Sequence, residues 1–350
     1  MKKVLTILLV FLLSGIGITL ILLFSVENYI VKLNQTSAIE TTTNTENEEI
    51  SYLNVANKVI LPGDEQNVQF SYDNKYYTYL KDNKIYIYTI DKNEEVKVLE
   101  DNVNDGIIYY ELLYDKNMIV YFTETKAKSS STLQLKTYNI DSKTEGTFNK
   151  FTVYNFYKIK SMHMSPVINI IYINVEIGNA NSSTNTVYSI DLFNSLDIIK
   201  SGVQIEKHIM LQYTNNVYFQ YSNGSIYYWS PYYGNTRLTF FNEDVDMIGL
   251  DSDDNVYFLG KESKNKIYKV NKTKLVKTIE LTDNDVVKTY SNNKNVYVVY
   301  PTYVVCVSAD NPYFRVCRLT KYVEFVTVKG NKVYLKTLSG VLTLTDIIKE

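Results

Sequence analysis

The chain has 350 residues, with 36 basic and 38 acidic side chains and a formal net charge of −2. This balance lacks the basic surface from which nucleic-acid recognition starts, so we expect no nucleic-acid partner. The composition includes 33 Tyr but only 13 Gly and 5 Pro. Tyr, Ile, Val and Thr suit a pleated, half-buried surface, so the bias favours strands.

The chain begins with a membrane-anchor pattern. Lys2 and Lys3 precede 23 uncharged residues, 4–26, before Glu27. As a helix this run spans about 34 Å, enough to cross a hydrocarbon core of about 30 Å. Because positively charged flanks stay inside, we expect residues 1–3 in the cytoplasm, a signal-anchor helix at 4–26 and the rest of a single-pass protein outside the cytoplasm. The alternative is a cleaved signal peptide, whose apolar region is usually shorter.

The next segment, residues 27–51, is rich in Thr, Asn and Glu and has no apolar period in its 32–51 part. Such a composition cannot bury enough apolar surface to fold alone. We therefore expect a flexible stalk between the membrane and a folded ectodomain at 52–350.

From residue 52 onward one pattern recurs. A polar turn leads into a Tyr-rich strand, as in "YDNKYYTY" at 72–79, "YTNNVYFQY" at 213–221 and "NNKNVYVVY" at 292–300. A second strand such as "IYIYTID" or "IYKVN" follows, and then a third turn and strand. Since another strand precedes each Tyr-rich one, every unit is a four-stranded antiparallel meander, the size of a β-propeller blade.

Seven such units can be counted, at roughly 68–100, 107–150, 155–200, 205–240, 244–280, 284–320 and 322–350. Six or eight remain open, because 155–200 matches least well. The seventh unit ends after its third strand, and "YLNVANKVILP" at 52–62 can supply the fourth. The prediction is therefore an all-β, seven-bladed β-propeller closed by an N-terminal strand, which removes exposed sheet edges. Strands ending in "-ID" or "-VN" before a polar turn resemble those of PQQ-like, YVTN-like and TolB-like propellers, a likeness that implies a fold and no chemistry.

The only two cysteines, Cys306 and Cys317, are symmetric about the turn at Asn311 and Pro312. In a regular hairpin they would lie opposite each other, close enough for a disulfide. A disulfide is plausible outside the cytoplasm, and the alternative is two unbonded small hydrophobic side chains.

No metal or cofactor site is expected. Asp251, Asp253, Asn255 and Glu262 match a calcium-loop spacing but lack its central Gly, so a hairpin turn is the better interpretation. The two histidines, 163 and 208, have no cluster of partners in the sequence, and no phosphate loop or nucleophile motif is present.

The densest aromatic cluster is "IYYWSPYYGNTR" at 226–237, which contains Trp229, the only Trp. The strand positions suit packing between blades. Tyr232 and Tyr233 fall in the following turn, where aromatic side chains can form a contact surface for a sugar or a protein.

We therefore expect a non-catalytic binding scaffold for envelope or surface proteins, or for polysaccharide. The polar segments 123–132 and 176–186 are expected to be long loops that contribute to contact. The alternative function is an envelope carbohydrate hydrolase or lyase with carboxylates gathered in the central funnel.

Overall fold

The computed structural model describes residues 58–60, 66–101, 106–165, 170–191, 193, 195–292, 294–310, 312, 314–319, 323–329, 332–337 and 341–346. These residues form 28 β-strands and no α-helix, so the predicted all-β class is confirmed. They all belong to one compact unit, Ser51–Glu350. The predicted cytoplasmic end, anchor and stalk, at 1–3, 4–26 and 27–51, lie outside the described residues, and within these residues no helix could cross a bilayer.

The described strands are arranged in seven four-stranded antiparallel sheets, six of which use four consecutive strands. Sheet 1 comprises β2 (Gln66–Phe70), β3 (Tyr76–Lys81), β4 (Lys84–Thr89) and β5 (Glu95–Leu99). Sheet 2 comprises β6 (Ile107–Leu112), β7 (Met118–Lys126), β8 (Ser130–Asn139) and β9 (Thr144–Tyr154). Sheet 3 comprises β10 (Phe156–Met164), β11 (Ile171–Asn179), β12 (Ser182–Ile190) and β13 (Leu196–Val203).

The next three sheets follow the same order. Sheet 4 comprises β14 (Ile205–Met210), β15 (Val217–Tyr221), β16 (Ile226–Ser230) and β17 (Gly234–Arg237). Sheet 5 comprises β18 (Val245–Leu250), β19 (Val256–Gly260), β20 (Lys266–Asn271) and β21 (Lys274–Glu280). Sheet 6 comprises β22 (Lys288–Ser291), β23 (Val296–Val299), β24 (Tyr303–Cys306) and β25 (Phe314–Arg318).

Sheet 7 is built from both ends of the described chain. It comprises β26 (Val323–Lys329), β27 (Lys332–Thr337), β28 (Val341–Asp346) and, at its edge, β1 (Lys58–Ile60). The register joins Lys58 to Thr343 and Ile60 to Val341. The predicted sharing of one sheet between the two ends is therefore confirmed.

The hydrophobic core is divided among the contacts between neighbouring sheets. Among the described residues there are seven apolar clusters, and each contains side chains of two consecutive sheets. One of these clusters joins the first sheet to the last, because Phe70 and Tyr77 of sheet 1 pack with Tyr334 of sheet 7. The ring centroids of Phe70 and Tyr334 are 3.8 Å apart. The sheets therefore form the closed arrangement of a β-propeller.

The first strands of the sheets lie on the inside of this ring, where those of successive sheets contact one another, as β2 contacts β6 and β6 contacts β10. Each sheet is a meander, so its first–second and third–fourth loops emerge on one side. We call that side the upper face. The lower face carries the second–third loops and the connections between sheets.

A buried tyrosine near the start of the second strand recurs in six sheets: Tyr77, Tyr172, Tyr218, Tyr257, Tyr297 and Tyr334. Several of their hydroxyls hold loops of the upper face. Tyr218 donates to the Lys272 carbonyl of sheet 5 at 2.6 Å, and Tyr334 donates to the Asn74 side chain of sheet 1 at 2.6 Å. Because these partners lie in the next sheet, the tyrosine both fills the core and ties neighbouring sheets together.

The shared seventh sheet generates a stability prediction. Deletion of 52–62 removes β1 and leaves β28 as an unpaired edge. We expect the midpoint of thermal unfolding to fall by roughly 5–10 °C, whereas deletion of the equally long 36–46 should leave it unchanged. Scanning calorimetry of the two deletion proteins and the parent chain measures the difference, and equal midpoints for the two deletions would contradict the shared sheet.

Candidate functional site: the channel mouth on the upper face

The first–second loops of neighbouring sheets are joined by hydrogen bonds around the upper face. Gln212 of sheet 4 shows how closely they are tied. Its backbone N–H donates to Asp254 of sheet 5 at 2.6 Å, and its carbonyl accepts from the hydroxyl of Ser165 in sheet 3. Its side-chain oxygen also accepts from the Tyr114 hydroxyl of sheet 2 at 3.3 Å. Four sheets therefore meet at one residue, which fixes the loops around the inner end of the ring.

In the loop at Asp251, the residues with calcium-like spacing form hydrogen bonds within the turn. One carboxylate oxygen accepts from the N–H groups of Asp253 and Asn255 at 2.9 and 3.0 Å, and the other faces the Lys269 ammonium at 3.0 Å. Burial alone would raise the pKa of Asp251, but the hydrogen bonds from Asn255 and Lys269 lower it. The predicted hairpin turn is confirmed, because β19 begins at Val256, directly after this loop. Glu262 follows the far end of β19 and therefore lies on the lower-face side.

A cavity of about 350 Å³ lies on the inside of the ring. It is surrounded by five first strands, β2, β6, β10, β22 and β26. These strands all run toward the upper face, and the lining includes Leu113 and Tyr114 of the first–second loop of sheet 2. The cavity is therefore the upper end of the central channel, and we call it the channel mouth. Its lining combines apolar side chains with one carboxylate, one ammonium and one imidazole, those of Glu111, Lys329 and His163.

Glu111 stands on β6 and turns its carboxylate into the channel mouth. The hydroxyl of Tyr109, on the same strand, donates to it at 2.8 Å. Burial raises the pKa of Glu111 to about 7, although Tyr109, Lys329 and Gln69 each act to lower it. Burial also raises the pKa of Tyr290, on β22, to about 12, and the charge of Glu111 adds to that shift. At neutral pH the carboxyl is therefore poised between its two protonation states.

Lys329 supplies the positive charge of the channel mouth. It ends β26, and burial lowers the pKa of its ammonium, while the charge of Glu111 acts in the opposite direction. Among the described contacts, none is an ion pair or hydrogen bond of the Lys329 ammonium. Lys329 is half-buried, and an ammonium that loses part of its hydration without a direct partner is costly.

The two histidines, which have no partners in the sequence, meet in the fold. His163 of β10 and His208 of β14 lie on neighbouring first strands, with ring centroids 4.5 Å apart in an edge-on arrangement. The Ser161 hydroxyl is 3.1 Å from Nδ1 of His208. Burial lowers the pKa of His163 to about 4 and that of His208 well below its usual value. Both rings are therefore neutral at physiological pH.

The residues predicted as an aromatic contact surface are separated by the structure. Trp229 lies on β16, half-buried, with its ring 6.5 Å from that of Tyr172 in an edge-on contact between sheets 3 and 4. Tyr232 and Tyr233 lie in the following third–fourth loop and are 88% and 86% exposed. They reach the upper face, as Phe193 of sheet 3 and Tyr213 of sheet 4 also do, at 90% and 55% exposure. We call these four exposed side chains the aromatic patch.

The expected register of the cysteine hairpin is wrong. Cys306 lies opposite Phe314, and Cys317 lies opposite Val304, because the turn is centred about one and a half residues earlier than assumed and a bulge follows Val304. Both cysteines are buried free thiols. Burial raises the pKa of the Cys317 thiol to about 12. The geometric argument for a disulfide between opposed residues therefore no longer holds.

The expected long loops at 123–132 and 176–186 are also wrong. Both segments are the ends of long hairpins, in which Thr125 pairs with Thr132 and Gly178 pairs with Ser183. The polar side chains lie on strands, and only tight turns at 127–129 and 180–181 remain on the lower face. Hairpin pairing satisfies the backbone of these segments, which a long loop would leave to water.

Comparison with known proteins supports the fold alone. The structure is similar to the crystal structure of Sqt1 from Saccharomyces cerevisiae, with a TM-score of 0.50 and 10% sequence identity over 80% of this chain and 83% of that chain. Sqt1 is likewise a propeller-like protein. The sequence matches no protein-family model and no curated protein significantly.

The raised pKa of Glu111 predicts a pH-dependent stability. Below about pH 4.3 the carboxyl is protonated in both the folded and the unfolded chain. As the pH rises to about 7 the unfolded chain ionises first, so the folded state loses stability over this window. We compare the free energy of unfolding of Glu111→Gln with that of the parent chain at each pH. The difference in favour of the variant should be larger at pH 8 than at pH 4.5 by about 1–3 kcal/mol. Urea unfolding at both pH values measures this change.

The control is Glu206→Gln, which alters an exposed carboxylate on the first strand of sheet 4. Its stability relative to the parent chain should not change between the two pH values. Parallel stability profiles for Glu111→Gln and the parent would show that Glu111 is not held in a desolvated site.

Proposed function

We propose that this chain is a non-catalytic interaction scaffold, a β-propeller with one blade per sheet that docks a protein partner on its upper face. One observation carries the proposal. Of the eight exposed aromatic side chains among the described residues, five lie in upper-face loops, namely Tyr72 and the four of the aromatic patch, and the other three, Phe148, Tyr154 and Tyr157, lie on strands. Exposed aromatic residues gathered on one face are a feature of binding surfaces.

The chemistry of the aromatic patch suits a protein partner. Tyrosines bury a large apolar area at low entropic cost, while their hydroxyls still find hydrogen-bond partners. The neighbouring loop positions are Asn215, Asn216 and Ser195, which supply short, adaptable polar groups. This mixture is the one that antibody loops use to recognise proteins.

The patch also has a rigid support. The Tyr213 backbone N–H donates to Asp254 of sheet 5 at 3.0 Å, and the Asp191 carboxylate accepts from the N–H of Phe193 at 2.9 Å. These hydrogen bonds hold the backbone at Tyr213 and Phe193 before a partner binds, and this reduces the entropic cost of association.

The carbohydrate-hydrolase alternative is less well supported. Glycoside hydrolysis generally uses two carboxylates placed on either side of the scissile bond. Of the described residues that line the channel mouth, Glu111 alone carries a carboxylate. The polysaccharide-binding alternative has the same aromatic side chains in its favour and is distinguished by the experiment below.

Docking predicts a site-specific crosslink. With p-benzoylphenylalanine in place of Tyr233, the full chain should form a protease-sensitive adduct with an envelope or surface protein on irradiation. The matched control is the same replacement at Tyr154, which is 70% exposed but lies at the lower-face end of β9. Combined Tyr232→Ala and Phe193→Ala substitutions should reduce the adduct at 233 by at least about tenfold, since each truncated hot-spot residue typically costs about 1 kcal/mol or more.

Two outcomes would contradict protein docking on the patch. Equal adduct yields at 233 and 154 would show no preference for the upper face. A protease-resistant adduct that stains for glycan would instead make polysaccharide the partner.

We further propose that the propeller lies outside the cytoplasm, tethered to the membrane by residues 4–26. The support is the uncharged length of this run and the two lysines that precede it. We expect the full chain to stay in the membrane pellet after alkaline carbonate washing, whereas a chain that begins at residue 52 should be released. External protease on intact cells should digest the 52–350 region of the full chain. Release of the full chain by carbonate, or protection from external protease, would overturn the anchor or its orientation.

A further inference from the structure

The channel mouth contains two opposite charges that do not pair with each other. Glu111 and Lys329 line the same cavity and act on each other's pKa, yet no ion pair among the described residues joins them. Taking two charges partly out of water without pairing them is expensive, because Lys329 has no direct partner among the described contacts and Glu111 has only neutral ones, such as the Tyr109 hydroxyl at 2.8 Å. A chain selected only to fold would place apolar side chains here. The separation leaves space for a ligand that carries both complementary charges.

Sheet 1 lies between the two charged strands and contributes neutral polar groups. The amide groups of Asn67 and Gln69, on β2, both donate to the carbonyl of Tyr110 at 3.2 Å. The side-chain oxygen of Gln69 accepts from the Leu112 N–H at 2.7 Å. These bonds hold β2 against β6 and fix the wall of the cavity between the charges. The charges are therefore carried on a rigid support.

The rest of the lining is apolar. Val68, Met162, Met164 and Val326 contribute to the wall, and the cavity volume is about 350 Å³. Small-molecule sites start at roughly 300 Å³ and are mostly apolar with a few convergent polar groups. A ligand that matches all of these features is small, has one ammonium and one carboxylate, and carries an aliphatic group.

We propose that the channel mouth binds a neutral aliphatic α-amino acid as a zwitterion. The Glu111 carboxylate accepts hydrogen bonds from the ligand ammonium, and the Lys329 ammonium donates to the ligand carboxylate. Met162 and Val326 contact the aliphatic side chain. The Lys329 ammonium then gains a direct partner, and the Glu111 carboxylate gains a charged partner in addition to the Tyr109 hydroxyl. This site is separate from the aromatic patch, so the inference does not depend on protein docking.

Binding should be coupled to a proton. The titratable groups that face Glu111 are Tyr109 on its own strand, Tyr290, Lys329 and the neutral ring of His163. A ligand ammonium beside the carboxylate favours its ionised form, because an opposite charge within a few ångströms does so. Glu111 is partly protonated in the ligand-free protein near pH 7. Amino-acid binding at pH 6 to 7 should therefore release a fraction of a proton from Glu111.

The first test uses the full chain in detergent and isothermal titration calorimetry with three matched probes. L-Leucine carries both charges, L-leucinamide retains only the ammonium, and 4-methylpentanoate retains only the carboxylate. L-Leucine should bind, and each singly charged analogue should bind at least about tenfold more weakly, since one charged hydrogen-bonding contact is lost. Absence of L-leucine binding, or equal affinity for either analogue, would overturn the proposal.

The second test uses variants. Lys329→Met and Glu111→Gln should each weaken L-leucine binding by about tenfold or more. Lys92→Met and Glu94→Gln are the matched controls, because both residues are exposed in the third–fourth loop of sheet 1, on the same face but outside the cavity. The controls should bind as the parent does. Circular dichroism reports whether each variant folds, and the analogue series on the parent chain does not depend on any variant.

A third readout separates binding at Glu111 from a general structural effect. Titrations at pH 6.5 in buffers with different ionisation enthalpies measure the protons released on binding. The parent should release a fraction of a proton, and Glu111→Gln should release none, while Lys329→Met retains the release for whatever binding remains. Unchanged release in Glu111→Gln, or unchanged L-leucine affinity in both variants, would show that the site is not the channel mouth.

Discussion

The closure of the ring is the constraint on which the rest of this structure depends. Each sheet has two faces to bury, and a neighbouring sheet covers each of them only if the last sheet meets the first. The pairing of β1 with β28 and the stacking of Phe70 on Tyr334 make that meeting. Without it, sheets 1 and 7 would expose apolar faces, and the five first strands that line the channel mouth would lose their fixed separation.

The repeated tyrosine transmits this constraint to the upper face. Its ring belongs to the core between sheets, while its hydroxyl reaches a loop, so loop position follows from core packing. Tyr172 donates to the Asn215 carbonyl at 3.1 Å, which lies two residues from the exposed Tyr213. A surface aromatic residue is thereby held by a buried one. The upper face can present side chains to a partner because its loops are parts of the packed ring, and are not free segments.

The sequence predicts the sheets well because their signal is local. An Asn or Asp turn followed by a Tyr-rich strand recurs in every unit except the weakest match, 155–200, and the predicted boundaries differ from the observed ones by only a few residues. The cysteine register failed because a bulge after Val304 and the true turn centre depend on packing that spacing does not encode. The channel mouth was missed because Glu111, His163 and Lys329 are far apart in the chain. A usable signal existed: each stands near the end of a first strand, just before the polar turn.

The polar channel mouth and the apolar sheet contacts have different physical roles. Burial of the repeated tyrosines and their aliphatic neighbours stabilises the ring. Glu111 and Lys329 have the opposite effect. Burial raises the pKa of Glu111 and lowers that of Lys329, so it favours the neutral form of each side chain and destabilises the folded chain at neutral pH. A fold does not need a carboxylate and an ammonium that stay apart at its centre. Strongly perturbed charged groups in a cavity are typical of functional sites. In this molecule the closed ring supplies the stability that offsets their cost, and the cavity they line is where a charged ligand restores it.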